Sequence, residues 1–265
     1  MSAADALGDM GQAGHPAASA LRRALSDGEP EVRRHAAMSL GMIGKAEESF
    51  LLPLLADADP RVRMSAAMAL QMSPSEAGAR RADPSVPPPL RSAIEAGLSR
   101  SSSSVPELIT GLSDADRRVR LAAAVALFNI AEGGTKAVPA LRSALHDPEN
   151  DVRLAAVMAL GRMGRGAALA RPSLLAALND GDRLVRQSAA VCLVDSESEA
   201  GKALPVLAEG LGDQNPHIRC NAALALGRMG EKAEFVVPML LDTLKDGDSH
   251  VRLSAAMALE MIRSR

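Results

Sequence analysis

Aromatic residues are almost absent from this 265-residue chain. It contains no tryptophan, no tyrosine and only three phenylalanines. A large single core normally uses aromatic rings to fill its volume, so this chain must pack through alanine, leucine, valine and methionine. Proteins that bind single-stranded nucleic acid stack bases on aromatic rings. The composition therefore favours close helix packing and argues against a role with single-stranded nucleic acid.

The net charge is also small, and cysteines and long apolar runs are few. The formal net charge of -2 gives no general attraction to phosphate backbones, so we expect no nucleic-acid partner. The two cysteines, Cys192 and Cys220, have neither metal-like nor redox-like spacing, which fits a reducing compartment such as the cytoplasm. No apolar run approaches the roughly 18 residues of a membrane span. The first residues, MSAADALGDMG, show no secretory signal.

What the chain does contain is one unit, repeated. Seven Val-Arg or Ile-Arg pairs begin at Val32, Val62, Val119, Val152, Val185, Ile218 and Val251. The last five pairs are spaced 33 residues apart, and a fixed period of this size is typical of a solenoid. With the Val or Ile as position zero, all seven copies have Asp at minus five and Leu at minus seven and minus eleven. All seven also have Ala at plus four and Leu at plus eight.

Each unit predicts two helices joined by a turn that holds the Asp. Proline at minus thirteen suits the first turn of the first helix; this position is occupied by Pro106, Pro139, Pro172, Pro205 and Pro238. Asp, Asn or Glu at minus three is suited to capping the second helix. Glycine at plus twelve suits the end of that helix, where a left-handed residue is often needed; it occurs as Gly44, Gly164 and Gly230.

The unit P-x-L-x-x-x-L-x-D-x-x-x-x-V-R-x-x-A-A-x-A-L-G-x-M-G resembles a HEAT repeat, in particular the short, alanine-rich kind found in phycobilisome lyases and many bacterial repeat proteins. The resemblance covers nearly the whole chain. It implies an all-α, right-handed α-solenoid of about eight two-helix repeats. It implies little about function, because HEAT arrays serve many unrelated roles.

The spacing of the units predicts one solenoid over 1–265. We expect a half repeat at 1–12, two repeats at 13–72, a degenerate repeat with flexible loops at 73–104 and five regular repeats at 105–265. The degenerate segment is predicted because 57 residues, rather than 33, separate Val62 from Val119. Pro53 is expected to delay or kink the helix in which it lies.

The Asp and Arg columns are predicted to be structural. Repeated once per unit, they would stack as an internal ladder in which each Asp is satisfied by turn N–H groups or by the Arg of its own or the next repeat. An active site rarely recurs in every repeat. The predicted ladder consists of Asp27, Asp57, Asp114, Asp147, Asp180, Asp213, Asp246, Arg33, Arg63, Arg120, Arg153, Arg186, Arg219 and Arg252.

No motif points to catalysis. None of the five histidines is followed by Glu, which argues against the di-iron chemistry of deoxyhypusine hydroxylase, a HEAT-like enzyme that relies on His-Glu pairs. Phosphate-binding glycine loops, G-x-S-x-G elbows and zinc spacings are absent from the sequence. We therefore predict a non-catalytic protein without a metal or cofactor.

An apolar surface is predicted along the second helices. At 100° per residue, positions zero, four, eight and eleven lie within about 80° and face inward, whereas positions two and six point nearly the opposite way. In HEAT-type solenoids the second helices line the concave surface, so these side chains would form an apolar ridge there. The predicted ridge consists of Met38, Met64, Met68, Leu121, Val125, Leu154, Met158, Val191, Leu224, Leu253 and Met257.

The ridge suggests a protein-interaction scaffold. Exposed apolar patches usually mark interaction sites, and methionine adapts to varied partners. The expected partner is an apolar or amphipathic helix, or a second copy of the chain. Burial of the ridge between neighbouring repeats is the competing interpretation.

The alternative function, implied by the resemblance alone, is a subunit of a phycobilin lyase or isomerase, with Arg162 and Arg228 near the bilin propionates. A base-flipping glycosylase, known from another HEAT-like family, is disfavoured because that chemistry uses aromatic residues and a basic groove.

Overall fold

The computed structural model describes residues 18–43, 47–72, 87–99, 102–196 and 198–264, and over these ranges the chain is helical without a strand. The α-helices are α1 Ala18–Ala24, α2 Pro30–Met42, α3 Glu48–Leu51, α4 Pro60–Leu70, α5 Pro88–Ser99, α6 Val105–Gly111, α7 Arg117–Ile130, α8 Val138–Ala144, α9 Asn150–Arg162, α10 Arg171–Ala177, α11 Arg183–Leu193, α12 Ala200–Gly210, α13 Pro216–Met229, α14 Val237–Thr243 and α15 Ser249–Arg263. Short 3-10 segments cover Leu52–Ala56, Ser102–Ser104, Ala131–Ala137, Gly164–Ala170 and Gly230–Val236. The all-α prediction is confirmed for these ranges. The predicted half repeat at 1–12, the loop residues 73–86 and 100–101, and Gly44 lie outside the described residues.

The chain forms two compact units, residues 1–166 and 167–265. Unit 1 contains α1 to α9 and unit 2 contains α10 to α15. In both compact units, each repeat with a Val-Arg or Ile-Arg pair has a first helix followed by a longer second helix, and the pair lies on the second helix. The second helices are α2, α4, α7 and α9 in unit 1, and α11, α13 and α15 in unit 2. The leucine and alanine positions shared by all repeats form the core, as at Leu127 and Leu160, which are almost fully buried.

Capping side chains fix where the second helices begin. The side chains of Asp59, Asp116 and Asn215 each accept a hydrogen bond from the backbone N–H two residues further on. Asp182 and Asp248 each accept two bonds, from the backbone N–H groups two and three residues further on. The N–H groups of the first turn have no partner within the helix, so these oxygens satisfy donors that would otherwise be lost. Second helices that start with proline are α2, α4 and α13.

Two prolines show how local sequence sets the first helices. Pro205 lies inside α12, because that helix already starts at Ala200, so the prediction that it occupies a first turn is wrong. Equivalent segments elsewhere form 3-10 turns before the proline, as Gly230–Val236 does. Pro53 lies in a 3-10 segment that follows directly after the four-residue helix α3. A proline removes one backbone donor, which accounts for the interruption there.

Position plus twelve closes several second helices with a positive φ. The φ angles are 54° at Gly164, 60° at Gly230 and 55° at Ala131. Glycine adopts such angles freely because it has no Cβ. For alanine the same backbone stores strain of about 1–3 kcal/mol. Ala131 therefore occupies a position for which two other repeats of the described chain use glycine.

Exchanging these residues should change stability in opposite directions. Ala131→Gly is expected to raise the free energy of unfolding by about 1 kcal/mol, because strain relief of about 1–3 kcal/mol exceeds the entropic cost of glycine of about 0.5–1 kcal/mol. Gly230→Ala is expected to lower it by about 1–2 kcal/mol. Urea unfolding followed by circular dichroism at 222 nm measures both. A loss of stability in Ala131→Gly would contradict the assigned strain.

Neighbouring second helices touch backbone to backbone at glycines in position plus nine. A Cβ added to Gly41 on α2 would lie 2.9 Å from the Cα of Ala69 on α4. A Cβ added to Gly227 on α13 would lie 2.7 Å from the Cα of Ala258 on α15. Both distances are too short for real atoms, so glycine is needed for this close stacking within each unit.

Candidate functional site

The predicted ridge residues differ widely in exposure. Met64, Leu121 and Val125 are buried, with at most 7% of their surface exposed. Leu253 and Met257 on α15 are 59% and 49% exposed. The remaining ridge residues are half-buried, namely Met38, Met68, Leu154, Met158, Val191 and Leu224. The prediction of an exposed surface is therefore wrong for the three buried residues.

Packing of α4 against α7 and α9 explains this burial in unit 1. Met64 and Met68 on α4 line a small space together with Val125 and Phe128 on α7 and with Met158 on α9. The space has a volume of about 10 Å³, which leaves no room for a ligand. The columns of these three helices thus cover one another. Within unit 1, this part of the predicted ridge is a satellite core.

A buried charge cluster joins the starts of α4 and α9. The Arg63 Nε donates to Asp151 Oδ2 at 2.6 Å, and their side chains are only 6% and 3% exposed. Arg63 Nη2 also lies 3.3 Å from Glu149 Oε2. Arg117 on α7 approaches the same Glu149 oxygen at 3.5 Å. These contacts connect α4 with α7 and α9, the two second helices that follow it in the sequence.

A polar contact fixes the other end of α4. Gln71 donates through Nε2 to the backbone carbonyl of Ala122 at 3.0 Å and accepts at Oε1 from Asn129 Nδ2 at 2.9 Å. A Cβ added to Gly97 on α5 would lie 2.0 Å from Gln71 Oε1. The segment around 73–104 thus contributes α5 to a site where α4 meets α7, and glycine at 97 makes room for the amide.

The Asp column builds the turns between the paired helices. Each of the seven aspartates accepts, at one Oδ, the backbone N–H two residues further on. Each of the seven arginines donates through Nη1 to two backbone carbonyls of its own turn. Turn carbonyls and N–H groups need such partners when they are half-buried.

Several arginines also reach the Asp of the following repeat. Two-pronged pairs join Arg33 to Asp57, Arg120 to Asp147 and Arg219 to Asp246, with N–O distances of 2.7–3.1 Å. The Arg219 guanidinium holds the pKa of Asp246 below its ordinary value.

Two arginines depart from this pattern. Arg63 pairs with Asp151 instead of a following column Asp. Arg186 lies 3.5 Å from Glu209, while Asp213 pairs with Arg183 at 3.1 Å. In both cases a different carboxylate takes the place of the expected column Asp.

The groups usually used for catalysis show no arrangement for it. Burial raises the pKa of Cys192 to about 12, so its thiol stays protonated at neutral pH. Burial also raises the pKa of Cys220. Across the described residues, no group of three or more His, Cys, Asp or Glu side chains is placed to hold a metal ion. The same residues include no helix long and apolar enough to cross a membrane.

The two arginines considered for bilin propionates are engaged elsewhere. The Arg162 guanidinium stacks over the Phe128 ring, 4.6 Å from its centre. Arg228 forms an exposed ion pair with Asp195. Neither side chain points a free cation at an apolar cleft, so nothing in the site favours bilin chemistry.

A comparison with known protein families identifies the type of repeat. The family model described as HEAT repeats matches residues 1–71, 78–161, 105–193 and 171–260, which together span nearly the whole chain. This chain belongs to the HEAT-repeat family. A search of curated proteins finds no match to it.

Engineered proteins and YibA of E. coli are among the solved structures similar to this HEAT-repeat chain. One engineered protein has a TM-score of 0.52 and 22% identity, covering 93% of this chain and 78% of its own. A second has a TM-score of 0.51 and 24% identity, covering 81% and 95%. YibA of E. coli has a TM-score of 0.50 and 20% identity, covering 93% and 92%. These likenesses show the α-solenoid fold and carry no information about a partner.

Proposed function

We propose that this HEAT array is a non-catalytic scaffold that binds another protein through an apolar column on unit 2. The column consists of Val191 on α11, Leu224 on α13 and Met257 on α15, all at position six of their repeats. Contacts of α13 with α11 and α15 make the column continuous across three helices. The exposure of Met257, at 49%, is the observation that carries the proposal.

The occupant proposed for the column is an amphipathic helix. Such helices lay one apolar face into a row of apolar side chains, with contacts spaced at three and four residues. Methionine fits varied side chains because it is unbranched and polarizable. The exposed charges beside the column are of both signs, as in the Arg228–Asp195 pair, so they select no strongly charged partner.

A tryptophan-labelled peptide tests this binding directly. Because the protein has no tryptophan, the emission of a neutral Leu/Lys/Glu amphipathic helix with one Trp reports only on the peptide. We expect a blue shift on binding to the native protein. The double variant Leu224→Asn with Met257→Gln should weaken binding about tenfold or more, because about 1.4 kcal/mol of apolar contact is lost.

The matched control is Met239→Gln on α14. Met239 is 42% exposed, a fraction similar to the 49% of Met257, but it lies on a first helix away from the column. Its substitution should leave the peptide affinity unchanged. The proposal is wrong if the native protein causes no shift at tens of micromolar, or if the column variant and the control bind equally.

A further inference from the structure

The outer face of α15, the last second helix of unit 2, has no neighbour among the described residues. This face, called the end face below, consists of Arg252, Leu253, Ala256 and Glu260, and all four are exposed. It is distinct from the apolar column, whose residue on the same helix is Met257. On α13 the equivalent residues are Arg219, Cys220, Ala223 and Gly227, which are half-buried or buried. They are covered because α15 packs against α13.

Glu260 places a carboxylate on the end face. Gly41 and Gly227 occupy the equivalent position plus nine where the next second helix is in backbone contact, but Phe128 occupies it on α7, which still packs against α9. Glu260 therefore does not exclude a neighbouring helix. The carboxylate needs a cation if it is to be covered. The end face is therefore suited to a helix that approaches with a positive charge opposite Glu260.

The sequence of α15 itself supplies that charge. Arg252 lies four residues before Ala256, and Glu260 lies four residues after it. When two copies of one helix cross antiparallel at Ala256, each residue faces the one equally far on the other side of the crossing. Arg252 of each copy then faces Glu260 of the other. Ala256 meets its own counterpart, and its small side chain permits an ordinary helix separation of about 8–10 Å.

Arg252 has donors available for this pairing. Its Nη1 donates to the carbonyls of Asp246 and Gly247 in its own turn, at 2.8 and 3.0 Å. In Arg219 the other donors, Nε and Nη2, hold the two oxygens of Asp246. Within the described part of unit 2, no carboxylate accepts a hydrogen bond from Nε or Nη2 of Arg252. A carboxylate from another copy would complete the arrangement that Arg219 already shows.

We propose that two copies of this chain associate through a two-fold axis at Ala256, with the α15 helices antiparallel and two Arg252–Glu260 ion pairs across the interface. A two-fold contact uses the same surface on both copies, which explains why opposite charges lie at equal distances from one small residue. Leu253, 59% exposed in a single chain, supplies the apolar contact beside the axis. The dimer leaves Val191, Leu224 and Met257 as a separate surface.

Charge reversal tests the pairing, with mass measured by sedimentation equilibrium. The native protein should have about twice the 27.5 kDa mass of one chain. Arg252→Glu and Glu260→Arg should each raise the dissociation constant at least tenfold, because each places like charges opposite one another twice. An equimolar mixture of the two variants should return to dimer mass, since both contacts then join opposite charges. Glu234→Arg, an exposed site outside the end face, should not change the mass.

Cysteine cross-linking tests the position of the axis and does not depend on the turn that Arg252 supports. Ala256→Cys should form an intermolecular disulfide on mild oxidation. Ser249→Cys, seven residues away on the same helix, should not, because its two copies would lie about 20 Å apart. Any of three results overturns the proposal: a monomeric native protein, a dimer unaffected by either reversal, or equal cross-linking at 249 and 256. Thermal melts by circular dichroism verify that each variant is folded.

Discussion

Asp151→Ala is expected to lower the free energy of unfolding of this protein by about 3–5 kcal/mol. The substitution leaves the Arg63 guanidinium buried without the carboxylate that it contacts at 2.6 Å. Of its two carboxylate partners the guanidinium then keeps only Glu149, 3.3 Å from Nη2, and an incompletely compensated buried charge costs more than the loss of the pair itself. It also removes a contact between helices 88 residues apart in sequence. Urea unfolding followed by circular dichroism measures the change.

The double variant Arg63→Leu with Asp151→Leu separates these contributions. It removes both charges, so it should be clearly less destabilised than Asp151→Ala, and the two single variants should be non-additive. Asp242→Ala is the surface control, because its ion pair with Lys245 is about 80% exposed at both side chains. Surface pairs contribute little. If Asp151→Ala behaved like Asp242→Ala, the cluster at α4 and α9 would not be holding unit 1 together.

The periodic part of this structure could be predicted because its contacts are local. Leu at minus seven, Ala at plus four and Asp at minus five recur since each repeat packs against its immediate neighbour. The same local logic gives the caps at Asp182 and Asn215. It extends to the turn hydrogen bonds of the Asp and Arg columns, which join residues two to six positions apart.

The contact of α4 with α9 could not be predicted in this way. The 57-residue interval after Val62 indicates that a regular repeat is interrupted. It does not indicate where α4 will pack next, because that depends on the meeting of surfaces far apart in sequence. Asp151 gave no signal of its own, since it lies at minus one, outside both charged columns. Glu31 is also a carboxylate at minus one, so this position alone did not mark Asp151 as the partner of Arg63.

The helical wheel also has a definite limit at the predicted ridge. It locates side chains relative to their own helix and correctly directs position six away from its own repeat at Met257. It contains no information about a third helix. At Val125 the same position is 2% exposed, because α4 brings Met64 and Met68 against it. One repeat position is therefore core at Val125 in unit 1 and surface at Met257 in unit 2.

Aspartate substitutions at this one position should therefore have very different effects. Val125→Asp is expected to lower the free energy of unfolding by at least about 3 kcal/mol, because it removes a buried valine worth about 1.5–3 kcal/mol and buries a carboxylate without a cation. Met257→Asp, at the equivalent position on α15, should change stability by no more than about 0.5 kcal/mol, since its side chain already contacts water.

Urea unfolding of the two variants, compared with the native protein at one pH near neutrality, gives both values. Met68→Asp is an intermediate case, because Met68 is half-buried on the α4 side of the same cluster. The expected order of stability loss is Val125→Asp, then Met68→Asp, then Met257→Asp. Equal, small losses at all three sites would mean that α4 does not cover α7 in solution. In that event the apolar side chains of unit 1 would be free for a partner, as the helical wheel alone predicts.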